Sequence, residues 1–181
     1  MLCFLKKDNT LKKIFTYTLL IFGFGLFFQT CEKDDICAEG TATTPKLVIR
    51  FYDAINVEET KTVSNFIVYG ADNNNEVVFF TNISISDTDS VAVPLRNDSN
   101  ITRLGFHKDI VGEDFETGNM DIIDTDYDIE NVYVSRACGF KNIYSNFNAT
   151  LVNDPDIWIS NIEISNSTIE NEILAHVKIY H

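Results

Sequence analysis

Apolar and polar residues alternate in short runs from residue 45 to the end of the chain. In the run at residues 47–52, Leu47, Ile49 and Phe51 occupy every second position, which is the period of a strand with one buried face. Clusters of Asn, Asp and Ser, such as residues 70–75, separate the runs and are typical of turns. No long stretch has the period of a helix.

The pattern predicts about nine strands. They are expected at residues 47–52, 63–69, 77–80, 90–95, 101–107, 127–135, 143–151, 158–164 and 173–180. Many short strands with frequent turns indicate an all-β fold, and we expect an antiparallel β-sandwich of the immunoglobulin-like or jelly-roll-like kind.

Three local predictions go with this fold. The alternating residues of the stretch 143–151 are expected to form one face of a strand. Residues 109–126 are rich in acids and weakly periodic, so they are predicted to be a long loop. His176 lies opposite the apolar face of the last predicted strand and is expected to be exposed.

The N-terminal segment has a different pattern. Residues 14–28 contain no charged side chain and follow Lys6, Lys7, Lys12 and Lys13. An uncharged run of this length suits a signal peptide and is short of the ~20 residues that span a bilayer. With Cys31 shortly after it, the segment resembles a bacterial lipoprotein signal in which the cysteine is diacylated. A cleaved signal without lipid and an uncleaved anchor are the alternatives, and all three export the rest of the chain.

The expected organisation therefore has three parts. Residues 1–30 form a helical lipoprotein signal peptide, residues 31–44 a lipidated polar tether, and residues 45–181 a single β-sandwich domain. Within the tether, Lys33, Asp34 and Asp35 resemble the export signal that sends lipoproteins of the Bacteroidota to the cell surface. The alternative interpretation of these charges is a solvated tether.

Charge and composition narrow the function classes. The formal charge of the chain is −13, and residues 1–30 carry four Lys and one Asp, a net of +3, so residues 31–181 carry −16. A domain this acidic is not expected to bind nucleic acid. With 8 Gly in the chain, no glycine-rich phosphate-binding loop is present.

Two cysteines remain after the signal and the lipidation site are set aside. Cys3 lies in the signal segment and Cys31 is the expected acceptor of lipid, which leaves Cys37 and Cys138. In an exported protein a remaining pair is expected to form a disulfide, and this one would close a loop of about 100 residues. Two buried thiols, or a pair too far apart to bond, are the alternatives.

Several segments together resemble a known family. They are Cys31–Cys37 (CEKDDIC), 47–53 (LVIRFYD), 91–95 (VAVPL), 132–139 (VYVSRACG) and 175–181 (AHVKIYH). These residues look like an uncharacterised Flavobacteriia-type lipoprotein family of the Bacteroidota with a domain of unknown function. The resemblance implies an outer-membrane lipoprotein that faces the periplasm or the cell surface, and Cys37 and Cys138 fit its pattern. It implies no activity and no cofactor.

The candidate chemistry is sparse. Asp124, Asp126 and Asp128 alternate like the first ligands of a calcium loop, but the Gly and Glu that complete an EF-hand are missing, so a solvated strand face is favoured over a metal site. His107, His176 and His181 form no metal or nucleophile motif. Six aromatic residues could form a sugar-binding platform or pack in the core, and packing is favoured. They are Tyr52, Tyr69, Tyr133, Tyr144, Trp158 and Tyr180.

These observations favour a binding role over catalysis. We expect an outer-membrane lipoprotein that acts as a protein-interaction or accessory envelope module, is not an enzyme, and has the membrane and an envelope protein as partners. The alternative is a lipoprotein that binds a glycan or a small ligand. A flat apolar patch on a sheet would favour the first role, and a row of exposed aromatic residues would favour the second.

Overall fold

The computed structural model describes residues 13–18, 36–41, 43–74, 76–80 and 85–181. Residues 13–18 are helical. The strands of the described chain are β1 (Leu47–Tyr52), β2 (Val63–Ala71), β3 (Val77–Phe80), β4 (Ser86–Thr88), β5 (Ser90–Val93), β6 (Ile101–Lys108), β7 (Asn119–Ser135), β8 (Gly139–Leu151), β9 (Asn161–Ile164) and β10 (Val177–Tyr180).

The strands form two sheets that pack face to face. One sheet has the order β5-β1-β10-β9, and the other has the order β3-β2-β6-β7-β8, with β4 paired to β2. The pairs are antiparallel except for β1–β10, which is parallel and aligns Ile49 with Val177. The predicted all-β sandwich is confirmed.

The core lies between the two sheets and follows the predicted alternation. Leu47, Ile49 and Phe51 of β1 are buried, as the period of two requires. Val177 and Ile179 of β10 join them from the neighbouring strand. The opposite sheet contributes Phe66, Val68, Leu104, Phe106 and Ile123.

The predicted loop at residues 109–126 is wrong over its second half. β7 begins at Asn119 and pairs with β6 from Lys108↔Asn119 to Ile101↔Asp126. The alternation is hidden because both faces of the sheet are covered here. Ile123 joins the main core, while Met120 packs against a second small cluster of Ile67, Tyr69 and Ile110.

A β-bulge breaks the predicted single face of β8. Asp126 pairs with Asn148 and Asp128 pairs with Ser145, so Asn146 and Phe147 together stand opposite Tyr127. Asn146 adopts a positive φ of 53° at this point. The bulge reverses the order of faces, so Tyr144 and Phe147 are both buried.

The C-terminal strand is shorter than predicted. β10 begins at Val177, and Ile173 and Leu174 before it are exposed. The prediction that His176 is exposed is wrong, because it is buried beside β1. The ring Nδ1 of His176 accepts a hydrogen bond from the backbone N–H of Val48, and the backbone N–H of His176 donates to the carbonyl of Val48.

Candidate functional site

The far end of the β7–β8 hairpin extends beyond the sandwich. Pairing between β6 and β7 stops at Ile101↔Asp126, whereas β7 and β8 stay paired as far as Ser135↔Gly139. None of the residues 130–143 is buried, and we call this segment the hairpin arm. A two-stranded ribbon is only marginally stable in water by itself, so this arm needs other contacts.

A disulfide supplies the main brace. Cys37 and Cys138 are bonded, with their Cα atoms 4.8 Å apart and their positions in the sequence separated by 101. The predicted disulfide is therefore confirmed. Two further contacts hold nearby segments against the arm: the N–H of Asn142 donates to Thr44 Oγ1, and Lys141 Nζ donates to the carbonyl of Glu170.

The turn at the end of the arm is built from the segment Ser135–Gly139. Gly139 has a φ of 70°, a conformation that glycine adopts without steric cost, and Ser135 Oγ accepts a hydrogen bond from the N–H of Cys138. The turn therefore places Cys138 within bonding distance of Cys37. It also sets the register of β7 and β8, the two strands that it joins.

That register creates an exposed aromatic pair. Tyr133 stands directly opposite Phe140, and the two rings meet edge to face with their centroids 5.4 Å apart. Tyr133 is 60% exposed and Phe140 is 65% exposed. Ile36, the residue before the disulfide, is 83% exposed and lies in the same shallow depression as Tyr133 and Arg136.

The arm also differs from the rest of the chain in charge. Its charged residues are Glu130 at the base and Arg136 and Lys141 near the turn, in a chain whose formal charge is −13. An acidic domain thus ends in a weakly basic, aromatic tip.

The candidate calcium ligands are each held by a different neighbour. Asp124 receives two hydrogen bonds from Arg103, at 2.6 and 2.8 Å, and this contact raises the pKa of the guanidinium. Asp126 accepts a hydrogen bond from Asn148, and Asp128 accepts one from Asn146. Across the described ranges, no group of three or more His, Cys, Asp and Glu side chains is close enough to hold a metal ion.

The three histidines occupy separate places. His107 Nε2 contacts the carbonyl of Thr117, and His176 contacts Val48. The ring of His181 packs edge to face on Trp158, and its backbone carbonyl accepts a hydrogen bond from Lys61 Nζ. Burial lowers the pKa values of His176 and His181 below their ordinary value of 6.5.

Asp121, which belongs to the same acid-rich stretch as the candidate calcium ligands, is a buried carboxylate with a structural role that the sequence did not predict. Its Oδ2 accepts hydrogen bonds from the N–H groups of Trp158 and Ile159, at 3.0 and 2.7 Å. Burial raises its pKa, while these two hydrogen bonds oppose the rise. The carboxylate thus fixes the segment before β9 to the core, and the signal for it was its position between apolar residues in β7.

The six candidate aromatic residues do not form an exposed row. Tyr69, Tyr144 and Tyr180 are buried, and Tyr52 and Trp158 are half-buried. Tyr133 alone among them is exposed, at the arm. Its partner Phe140 was missed, although the register of a hairpin that turns at 135–139 would have indicated it.

A second surface feature lies at one end of the larger sheet. Val78 and Ile101 are exposed there, 62% and 59%, and line a groove together with Ala71. Two arginines border the groove, Arg96 paired with Asp98 and Arg103 paired with Asp124. The groove therefore combines exposed apolar side chains with arginines whose charges are balanced locally by carboxylates.

The expected N-terminal sites lie outside the described residues. They are the lipidation site Cys31 and the export-signal residues Lys33, Asp34 and Asp35. Over the segments that the structure does describe, no helix has the length and apolarity to cross a membrane.

These features define a class of all-β protein: a two-sheet sandwich with a projecting hairpin arm that a disulfide joins to the preceding segment. Residues 65–181 match the model of a family of unknown function, DUF6452, and the chain belongs to this family. The matched region contains the whole arm and Cys138, whereas Cys37 and β1 precede it. No curated protein and no solved structure matches the chain.

Proposed function

We propose that this chain is a lipid-anchored protein of the outer membrane whose β-sandwich is a protein-interaction or accessory envelope module. The single observation that carries the proposal is the Cys37–Cys138 disulfide. Stable disulfides are formed mainly in oxidising compartments outside the cytosol, which agrees with export directed by residues 1–30.

The anchor in this proposal is lipid on Cys31. Cys31 precedes the disulfide-bonded Cys37 by six residues and directly follows the signal segment. One acyl chain binds a membrane weakly, whereas two or more hold a protein stably. Lys33, Asp34 and Asp35 support the cell surface as the final location, and a solvated tether on a domain that faces the periplasm is the alternative.

The groove at Val78 and Ile101 supports the protein-interaction role. Two exposed β-branched side chains that line one groove, with ion pairs next to them, resemble the mixed surface of a transient protein interface. The dispersed aromatic residues give less support to the alternative role in glycan binding. The histidines, each engaged in a separate hydrogen bond or ring contact, support a role without catalysis.

Lipidation is tested by mass spectrometry of the N-terminal peptide of the protein purified from its native host. We expect acyl chains on Cys31 and their loss in Cys31→Ser. Cys3→Ser is the matched control, since that cysteine belongs to the segment that is removed, and it should leave acylation unchanged. An N-terminal peptide of the wild-type protein without lipid contradicts the proposal.

The interaction role is tested by photo-crosslinking in the native envelope. We place p-benzoylphenylalanine at Ile101 in the groove, and at Ile173, also exposed, as the control. The proposal expects one reproducible protein adduct from position 101 and none from position 173. Binding of the mature domain to a glycan array, without any adduct, would instead favour the glycan-binding role.

A further inference from the structure

The hairpin arm exposes large apolar side chains outside the core of the sandwich. Tyr133 and Phe140 face each other across the ribbon and bury little of either ring. Cross-strand aromatic pairs stabilise a hairpin modestly, but this pair lies beyond the sandwich core and adds nothing to it. The arrangement indicates an occupant that covers the tip.

The sequence before the arm limits where that occupant can be. Cys31 and Cys37 are six residues apart, a distance that an extended chain covers in at most about 20 Å. Because Cys37 is bonded to Cys138, the turn of the arm is held within that reach of Cys31. If Cys31 carries lipid, the tip of the arm lies close to the membrane surface.

The chemistry of the tip fits a membrane interface. Tyrosine and other aromatic rings are favoured at the boundary between headgroups and acyl chains, and long basic side chains extend from there to the phosphates. Tyr133, Phe140 and the exposed Ile36 provide the apolar part. Arg136, at the turn, provides positive charge in a chain whose formal charge is −13 and which anionic lipid would otherwise repel.

We propose that the tip of the hairpin arm, formed by Ile36, Tyr133, Arg136 and Phe140, docks on the lipid bilayer in which the protein is anchored. This inference rests on the proposed lipid anchor at Cys31. The arm then acts as a second contact with the membrane and sets the orientation of the sandwich. The disulfide couples the two contacts, since it fixes the anchored segment to the arm.

The opposite end of β7 offers a matched control. Val111 is 70% exposed in the connection between β6 and β7, next to the end at which Lys108 pairs with Asn119. The 17 residues of β7 separate that end from the tip of the arm by about 50 Å. A reporter at Val111 therefore stays far from the membrane when the arm is docked.

The test uses the lipidated protein in vesicles of phosphatidylethanolamine and phosphatidylglycerol that contain brominated acyl chains. Phe140→Trp and, as a second reporter on the same surface, Tyr133→Trp are compared with Val111→Trp and with the wild type, whose Trp158 lies against the core. We expect about twofold quenching for the two arm variants, because interfacial side chains lie about 5–10 Å into the headgroup region. Val111→Trp and the wild type should be unchanged.

Mass spectrometry of each preparation separates the two proposals. If Cys31 is acylated and the arm indoles are not quenched, docking of the arm is overturned while the lipid anchor stands. An unacylated Cys31 overturns the anchor, and the docking that rests on it. Arm indoles that are shielded from acrylamide in the same vesicles but unaffected by bromine indicate a protein occupant, which also overturns docking on lipid.

Discussion

His176 and Val48 are joined by two hydrogen bonds, one of which is accepted by the imidazole side chain. The backbone N–H of His176 donates to the carbonyl of Val48 at 2.8 Å, and His176 Nδ1 accepts the N–H of Val48 at 3.0 Å. The imidazole thus extends the parallel β1–β10 pairing by one step beyond Ile49↔Val177. The contact requires a neutral ring, because a protonated Nδ1 cannot accept a hydrogen bond.

This contact predicts a loss of stability in mild acid. Burial lowers the pKa of His176, while a hydrogen bond to the backbone of Asn171 and the charge of Glu172 oppose the shift. A base whose pKa is lower in the folded state contributes stability that is complete above the unfolded pKa of 6.5 and is lost as the pH falls from there toward the folded pKa. We expect the free energy of unfolding to decrease below about pH 6.5, by at most about 1.4 kcal/mol per pH unit for this one proton.

Urea unfolding of wild type and His176→Asn at a series of pH values measures this effect. Asn retains an acceptor for the N–H of Val48 but does not titrate. The difference in free energy of unfolding between the two proteins should shrink as the pH falls, because only the wild type loses the contribution of His176. His181, whose pKa is also lowered, is present in both proteins, so its effect cancels in the difference. A difference that is constant with pH would show that His176 does not titrate in this range.

Removal of the disulfide should destabilise the arm and the whole domain. The bond closes a loop between residues 101 positions apart, for which the chain-entropy model gives at most about 4–5 kcal/mol. We expect Cys37→Ala/Cys138→Ala to have a lower midpoint of urea unfolding. Amide hydrogen exchange should rise most in residues 130–143, because the ribbon loses its brace. An unchanged midpoint would show that removing the disulfide adds little conformational entropy to the unfolded chain.

The hydroxyl of Tyr127 should matter more than that of Tyr144. Tyr127 lies 2.6 Å from Thr102 Oγ1 and donates to the carbonyl of Arg96 at 2.9 Å, whereas the hydroxyl of Tyr144 reaches the carbonyl of Leu95 at 3.4 Å. Loss of a buried hydrogen bond costs about 1–3 kcal/mol. Tyr127→Phe should therefore lower the free energy of unfolding by about that amount.

The control for this prediction is Tyr144→Phe, which removes the same atom from a ring that is just as deeply buried. We expect a smaller loss for this variant, because its hydrogen bond is long. Equal losses in the two variants would assign the effect to the volume of the hydroxyl and not to its hydrogen bonds.

We expect no heat of binding when calcium is titrated into this protein. Asp124 is occupied by Arg103, and Asp126 and Asp128 accept hydrogen bonds from asparagines of β8. Carboxylates held on separate partners cannot converge as a calcium loop requires. Isothermal calorimetry at millimolar calcium checks this expectation, and Arg103→Ala, which frees Asp124, shows whether the ion pair is what prevents binding.

The sequence by itself determined the period of the strands and the identity of the bonded cysteines. Leu47, Ile49 and Phe51 alternate because each side chain of a strand points away from its neighbour, and this rule needs no knowledge of the partner strand. The pairing of Cys37 with Cys138 was expected because these two cysteines remain once Cys3 and Cys31 are assigned to the predicted signal and lipidation site.

Only the tertiary structure decided where both faces of a strand are covered and where alternation fails. The acid-rich start of β7 has the pattern of a loop because its apolar residues belong to two clusters on opposite faces of the sheet. The bulge at Asn146 reverses the faces of β8, and Tyr144 is therefore buried. His176 is buried because β10 lies beside β1, a pairing between distant residues that no local pattern contains. The candidate site has the same origin, since Tyr133 and Phe140 meet only through the register of the hairpin.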